Sequence, residues 1–226
     1  MIIHLYFDIL SYIIAGLLLR FLIKPKLNLD SEQKHWYYSV LIIGFVLGAV
    51  AIGSINTYLS MHKIIPSKSI MGAIFGGIVA IEVYKKIAKI KGSTGAYFVP
   101  SLALGIAIGR IGCYKAGLPD FTYGIETTLP WGVDFGDGIK RHPVQLYESF
   151  AMFAFFIYAM FRYYKNRDYF EKFIFYEFVL FYATQRFAWE FLKPYEKIAF
   201  DLNIFQIVGI MMIVYAIKKR FVYEKL

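Results

Sequence analysis

Two arginines and two glutamates of this sequence lie within or beside its hydrophobic segments. Arg110 and Arg186 fall inside apolar blocks, Glu148 ends the motif "RHPVQLYE", and Glu190 follows Arg186 by four residues. Charges at bilayer depth cost about 2.5–3.5 kcal/mol each on insertion scales, so they normally have partners or line a cavity. Guanidinium groups are planar forks of donors that suit a phosphate. The pattern predicts a phosphate site, and the alternative is two structural ion pairs, Arg110–Glu148 and Arg186–Glu190.

These residues border a polar, glycine-rich segment, residues 109–148, that interrupts the hydrophobic pattern. His142 is a candidate acid or base, but it also precedes Pro143, which suits the first position of a helix, so it could simply mark a helix start. Tyr147 and Trp131 are candidates for headgroup contact or for the aromatic belt of a membrane protein.

The rest of the chain indicates which elements position this segment. Of its 226 residues, 58% are hydrophobic and the mean hydropathy is +0.52, which is typical of a polytopic membrane protein. A membrane-spanning helix needs about 20 apolar residues. The sequence predicts an all-α fold of seven transmembrane helices in a single membrane domain, residues 1–226. The predicted blocks are Ile2–Leu22, Tyr38–Tyr58, Ile70–Tyr84, Tyr97–Tyr114, Pro143–Phe161, Phe173–Leu192 and Ile204–Ile217.

The distribution of basic residues predicts the orientation of these helices. Sixteen lysines and arginines lie in one set of loops and seven in the other, with Arg110 and Arg186 inside helices. The positive-inside rule then places the N-terminus outside and the C-terminus in the cytoplasm. The sixteen are Arg20, Lys24, Lys26, Lys34, Lys85, Lys86, Lys89, Lys91, Arg162, Lys165, Arg167, Lys172, Lys218, Lys219, Arg220 and Lys225.

This topology gathers the polar residues in the outer leaflet. Asp8 and Asn56 lie at a depth similar to that of the two arginines, and the net charge of +9 reflects membrane topology rather than nucleic-acid binding. The single cysteine, Cys113, excludes an internal disulfide and a metal cluster built from cysteines, and we expect no metal and no cofactor. Because a lone cysteine in a helix interface is commonly a packing residue, Cys113→Ser is expected to lose little activity.

Several motifs resemble the bacterial prolipoprotein diacylglyceryl transferases. They are "GRIGCY", "TTLPWGVDF", "RHPVQLYES" and "QRFAWEFLKP", and the resemblance runs from about residue 69 to the C-terminus. It implies a seven-helix enzyme of the bacterial inner membrane. Such enzymes move the diacylglyceryl group of phosphatidylglycerol onto the lipobox cysteine of a secreted prolipoprotein.

The resemblance also implies roles for individual residues. The predicted catalytic residues are Arg110, Arg186, His142 and Glu148. Those predicted to contact the substrate are Arg141, Gln145, Tyr147, Gly124 and Glu190. The arginines would stabilise the leaving phosphate, and either His142 or Glu148 would accept the thiol proton. Gly124 would give backbone N–H groups access to the headgroup.

Four positions depart from the family pattern. Met71 occupies the place of a histidine, Cys113 and Ala116 the places of asparagines, and Leu118 the place of a glutamate, with an apparent insertion of three residues before Gly124. Methionine cannot accept a proton and leucine cannot replace a carboxylate. The alternatives are therefore a phospholipid-binding or assembly protein without turnover, or a related transferase with a different acceptor. A transporter would need polar residues through both leaflets, and here they stop at mid-depth.

Overall fold

The computed structural model describes residues 2–23, 27 and 29–224, which form two compact units. Unit 1 comprises Met1–Pro25 and Gly95–Pro194, and unit 2 comprises Lys26–Thr94 and Tyr195–Leu226. Three of the basic residues that predict the cytoplasmic side, Lys24, Lys26 and Lys225, lie outside the described residues, as do both chain ends.

Seven α-helices account for most of the described chain. They are α1 (Ile2–Leu17), α2 (Ser31–Met61), α3 (Ile70–Ile87), α4 (Val99–Ala116), α5 (Val144–Lys165), α6 (Arg167–Trp189) and α7 (Ile204–Glu224). A π-helix, Leu18–Ile23, continues α1, and 3-10 turns lie at Ala96–Phe98, Leu118–Asp120 and Glu190–Leu192. The strands are an antiparallel pair, β1 (Val133–Asp134) and β2 (Lys140–Arg141). Each hydrophobic block thus forms a helix, as the sequence predicts.

Two helices begin earlier than their hydrophobic blocks because polar residues cap them. Asp30 accepts a hydrogen bond from the Gln33 amide at 2.7 Å, and the Gln33 side chain accepts one from the Asp30 amide, so α2 begins at Ser31. Asn166 accepts a hydrogen bond from the Tyr169 amide at 3.0 Å, which starts α6 at Arg167. The hydropathy pattern does not reveal these polar first turns, so both helices are predicted to begin too late.

Among the residues that the structure describes, four helical segments are long and apolar enough to cross a membrane. By length and composition they are Ile3–Ile23, Ser31–Met61, Ala96–Ala116 and Val144–Lys165. This supports a multi-pass membrane protein. That seven helices span the membrane, and that the N-terminus lies outside and the C-terminus inside, are predictions from the sequence.

Glycines allow α2 and α3 to pack closely within unit 2. A Cβ added at Gly48 would lie 2.2 Å from the Gly72 carbonyl oxygen, and one at Gly76 would lie 2.2 Å from the Gly44 carbonyl oxygen. Only residues without a side chain let two helix backbones approach this closely. Gly72 and Gly76 of α3 therefore pack directly against the backbone of α2.

Within unit 1, α4 lies against α1 and α5, and α5 lies against α6. The Ser149 hydroxyl of α5 donates to the Ala107 carbonyl of α4 at 2.7 Å, and the Ser101 hydroxyl of α4 donates to the Ala15 carbonyl of α1 at 3.3 Å. These hydrogen bonds tie α4 to α5 and to α1 within unit 1.

Candidate functional site

A buried ionic cluster joins α4, α5 and α6. Arg110, in the last two turns of α4, contacts Glu148 of α5 with its Nε 2.5 Å from Oε2. Arg186 of α6 binds both Glu148 and Glu190, and Glu190 follows Arg186 by four residues in the chain. The structure therefore brings together four of the predicted site residues, including both ion pairs named as the structural alternative.

A fifth charge in this cluster was not predicted from the sequence. The Lys193 ammonium lies 2.6 Å from Glu148 Oε1 and 3.6 Å from Glu190 Oε1, and its side chain is fully buried. Burial and the guanidinium of Arg186 lower the pKa of Lys193 from its usual 10.5, while the two carboxylates oppose this shift. The available signal was spacing, since Lys193 follows Arg186 by seven residues and Glu190 by three.

The charges of these five side chains do not cancel. Arg110, Arg186 and Lys193 carry three positive charges and Glu148 and Glu190 two negative ones, which leaves +1 when all five are ionised. All five are buried. Three cationic side chains that converge in one buried site would stabilise an anion bound beside them.

Buried polar atoms without partners lie on two of these helices, α5 and α6. Within the described residues, both amide atoms of Gln145 and the Tyr182 hydroxyl have no hydrogen-bond partner. The same is true of Gln185 Oε1 and Trp189 Nε1. Gln145 is fully buried one turn before Glu148, and leaving such a group unsatisfied costs about 1–3 kcal/mol. These atoms are donors and acceptors available to a bound polar molecule.

His142 lies in a small aromatic group at the start of α5. Its Nδ1 is 3.4 Å from the Tyr147 hydroxyl, which also accepts a hydrogen bond from Trp131 Nε1 at 2.8 Å. The Tyr147 ring lies 5.3 Å from the Trp189 ring of α6, measured between centroids. The half-buried His142 therefore stands next to the helix ends that carry the cluster.

Arg141 binds within its own loop. Its guanidinium donates two hydrogen bonds to Asp137, at 2.7 and 2.8 Å, and lies over the Tyr123 ring. These hydrogen bonds hold the pKa of Asp137 below its usual range. No contact joins Arg141 to the ionic cluster within the described residues.

Gly124 permits a close approach of two backbone segments. Its amide donates to the His142 carbonyl at 2.9 Å, and an added Cβ would lie 2.6 Å from His142 Cβ. The glycine therefore positions the residue before α5, whereas its contact with a headgroup stays a prediction.

Met71 and Cys113, two of the departures from the family pattern, are both buried. Met71 lies in α3 of unit 2, and Cys113 lies near the end of α4 in unit 1. Cys113 Sγ is 3.3 Å from His4 Nε2, and the same nitrogen is 2.8 Å from Asp120 Oδ1. Neither His4 nor Asp120 is predicted as a site residue from the sequence, because no local spacing links residues so distant in the chain.

The fold and the site define a multi-pass membrane protein with a buried, positively charged cluster. Residues 4–221 match the family described as prolipoprotein diacylglyceryl transferase, and the chain belongs to this family. The resemblance read from the motifs is thereby confirmed.

Individual relatives carry the name phosphatidylglycerol–prolipoprotein diacylglyceryl transferase. The protein of Finegoldia magna is 35% identical over 159 residues, which cover 68% of this chain and 62% of the relative. That of Campylobacter lari is 29% identical over 219 residues, or 84% of this chain and 77% of the relative. One from Campylobacter jejuni is 31% identical over 166 residues, which cover 63% of this chain and 58% of the relative. The chain thus spans about six-tenths of the first relatives it matches. No solved structure matches it significantly.

Proposed function

We propose that this chain transfers the diacylglyceryl group of phosphatidylglycerol to the thiol of a lipobox cysteine in a secreted prolipoprotein. The observation that carries the proposal is the convergence of Arg110, Arg186 and Lys193 in one buried cluster. A phosphodiester headgroup bears one negative charge, which such donors suit. The names of the relatives supply the donor and the acceptor class.

The reaction exchanges one bond at the glyceryl carbon. The sulfur forms a bond to that carbon, the carbon–oxygen bond to the phosphate breaks, and the electron pair leaves with glycerol phosphate. Negative charge on the phosphate therefore grows toward the transition state. Arg110 and Arg186, held in place by Glu148 and Glu190 in a buried site, are preorganised donors for that charge.

The thiol proton needs an acceptor, and the surroundings favour His142 over Glu148. Three cations contact the carboxylate of Glu148, so its anionic form is stabilised and it is a weak proton acceptor. Glu148 then acts as the residue that positions the arginines. His142 is half-buried, and within the described residues its Nε2 has no hydrogen-bond partner.

Residues at the start of α5 and in the segment before it are assigned to substrate contact. Gln145 offers a buried amide with free donors and acceptors, and Tyr147, two residues further along the chain, offers an aromatic face. Arg141 lies in the loop before α5, where it would meet the polar part of a headgroup.

The reaction requires the site to face the compartment of secreted prolipoproteins. We propose one seven-span domain in a bacterial inner membrane, with the N-terminus outside and the C-terminus in the cytoplasm, from the count of sixteen against seven basic residues. Reporter fusions to Leu226 test this orientation. Activity of the reporter only on the outer side would contradict it.

The function is tested by incubating the purified protein with labelled phosphatidylglycerol and a lipobox peptide. The expected result is a thioether product that is absent with the matched cysteine-to-serine peptide. A second measurement without peptide records lipid binding alone. Binding without product would refute the transferase and favour the phospholipid-binding alternative.

A further inference from the structure

Three side chains capable of binding a metal meet at the end of α4. His4 Nε2 lies 2.8 Å from Asp120 Oδ1 and 3.3 Å from Cys113 Sγ, and the three donor atoms all lie within 4.8 Å of one another. Tetrahedral zinc with nitrogen, oxygen and sulfur ligands separates its donors by roughly 3.3–3.6 Å. The 3.3 Å separation lies at the lower end of this range, and the 2.8 Å separation, which is that of a hydrogen bond, lies about 0.5 Å below it, so a bound ion would move His4 and Asp120 apart by this amount.

Each of these side chains also has an outer partner that orients it. His4 presents Nε2 to the cluster while its other nitrogen, Nδ1, lies 3.4 Å from Asp8 Oδ2. The second oxygen of Asp120 accepts a hydrogen bond from Thr122. Arg110 Nη1 donates to Cys113 Sγ at 3.7 Å. Carboxylates bound to the far nitrogen of a histidine, and donors bound to ligand oxygens or sulfurs, are the usual outer shell of a metal site.

The charge and the exposure of the cluster fit a divalent ion. Cys113 as a thiolate and Asp120 as a carboxylate supply two negative charges, so a divalent ion adds no net charge beside Arg110. Mixed sulfur, nitrogen and oxygen ligands suit zinc. Cys113 is buried, whereas the side chains of His4 and Asp120 are 30% and 14% exposed, which gives an ion a path to the site.

We propose that His4, Cys113 and Asp120 bind a zinc ion that keeps an open fourth position. Zinc with three protein ligands and one exchangeable ligand is the arrangement of catalytic zinc sites. The sequence predicts no metal and a packing role for Cys113, because the fold alone brings His4 and Asp120 to this single cysteine.

The ligand class that fits the fourth position is a thiol, an assignment that rests on the proposed function. A thiol that displaces water from zinc stays bound as a thiolate, and His142 accepts the proton that the thiol gives up. Arg110 contacts both Cys113 and Glu148, so this sulfur would stand beside the ionic cluster assigned to the phosphate. The bound thiolate then attacks the glyceryl carbon while the electron pair of the breaking bond leaves with the phosphate.

Metal binding is tested without any substrate, on protein purified through an affinity tag that lacks histidine. After removal of metals with EDTA, titration with Co²⁺ should give a thiolate-to-cobalt charge-transfer band that Zn²⁺ abolishes. Cys113→Ser, His4→Ala and Asp120→Asn should each weaken binding by more than tenfold, and Thr122→Val by about tenfold. His35→Ala, which removes an exposed histidine of α2, is the matched control and should bind as the parent does. A parent protein without the band, or Cys113→Ser with an unchanged band, overturns the proposal.

The parent protein offers a second test that needs no variant to fold. Cys113 is the only cysteine of the chain, so the rate of alkylation by a maleimide reports on this thiol alone. Zn²⁺ should slow alkylation at least tenfold, and Mg²⁺ should not. Equal rates with and without Zn²⁺ would contradict the site.

The thiol assignment is tested separately with the cobalt form. A lipobox peptide should shift the visible cobalt bands and its cysteine-to-serine form should not, and the absence of a shift would refute this assignment. Loss of transfer after EDTA treatment, restored by Zn²⁺, is the expected result. Full transfer by metal-free protein would overturn the metal's role and leave the transferase standing, whereas metal binding without transfer under any condition would refute the transferase.

Discussion

Glu148 and Arg186, 38 residues apart in the chain, form a buried ion pair that joins α5 to α6. The same oxygen of Glu148 also accepts a hydrogen bond from Lys193, and the other oxygen faces Arg110. One carboxylate therefore holds three cations from α4, α6 and the segment after α6. This arrangement makes the position of each guanidinium depend on Glu148.

Replacement of Glu148 by glutamine should destabilise the protein strongly. The variant keeps the volume of the side chain but leaves three buried cations with one carboxylate, and breaking a buried pair costs about 3–5 kcal/mol. Thermal unfolding in detergent measures the change. Glu126→Gln, at an exposed loop position, is the matched control and should unfold at the parent temperature. Equal stability of the two variants would show that the cluster does not need this carboxylate.

Replacement of Arg186 by lysine should weaken headgroup binding about tenfold or more while the fold is mostly retained. Lysine keeps the charge but lacks the planar fork that reaches Glu148, Glu190 and a phosphate together. Binding of labelled phosphatidylglycerol measures the effect. Arg162→Lys makes the same change at the other end of α5 and should bind normally. If Arg186→Lys binds lipid as well as the parent, the phosphate assignment is wrong.

Replacement of His142 by alanine should reduce transfer by about 10²–10⁴-fold with lipid binding retained, because general-base catalysis contributes that much. Met71→His should change the rate little if His142 carries the proton. Single-turnover rates and lipid affinities, measured for each variant, distinguish a loss of proton transfer from a loss of lipid binding. A large gain of rate in Met71→His would instead assign the proton transfer to the position in α3.

The loop pair Asp137–Arg141 should depend on pH in the acidic range. The folded pKa of Asp137 lies below its ordinary value of 3.8, so the pair stabilises the loop above that value and loses this contribution as the pH falls through the lower folded pKa. Titration of the Asp137 carboxyl carbon by NMR gives the midpoint. Arg141→Ala should raise the midpoint toward 3.8, and an unchanged midpoint would mean that Arg141 does not hold the carboxylate.

Replacement of Gly48 by alanine should separate α2 from α3. The new Cβ would lie 2.2 Å from the Gly72 carbonyl oxygen, and such overpacking costs about 1–3 kcal/mol. Gly105→Ala, in α4, adds a Cβ that meets nothing within 4 Å and should leave stability equal or slightly higher. Thermal unfolding of both variants gives the comparison. A Gly48→Ala protein as stable as the parent would contradict the close packing.

The sequence by itself determined the features that depend on local spacing. The seven apolar blocks form seven helices because a helix satisfies the backbone hydrogen bonds of an apolar segment internally. Arg186 contacts Glu190 because residues four apart lie on the same face of a helix. Polar helix starts were missed at Ser31 and Arg167, since capping by Asp30 and Asn166 does not change hydropathy.

Only the tertiary structure decided which distant residues meet. The three cations around Glu148 come from separate segments, and their register follows from packing contacts such as that of Ser149 with Ala107. His4 reaches Cys113 across 109 residues only because α1 lies along α4. Such long-range contacts depend on how helices pack side by side, and no periodicity within one helix encodes that.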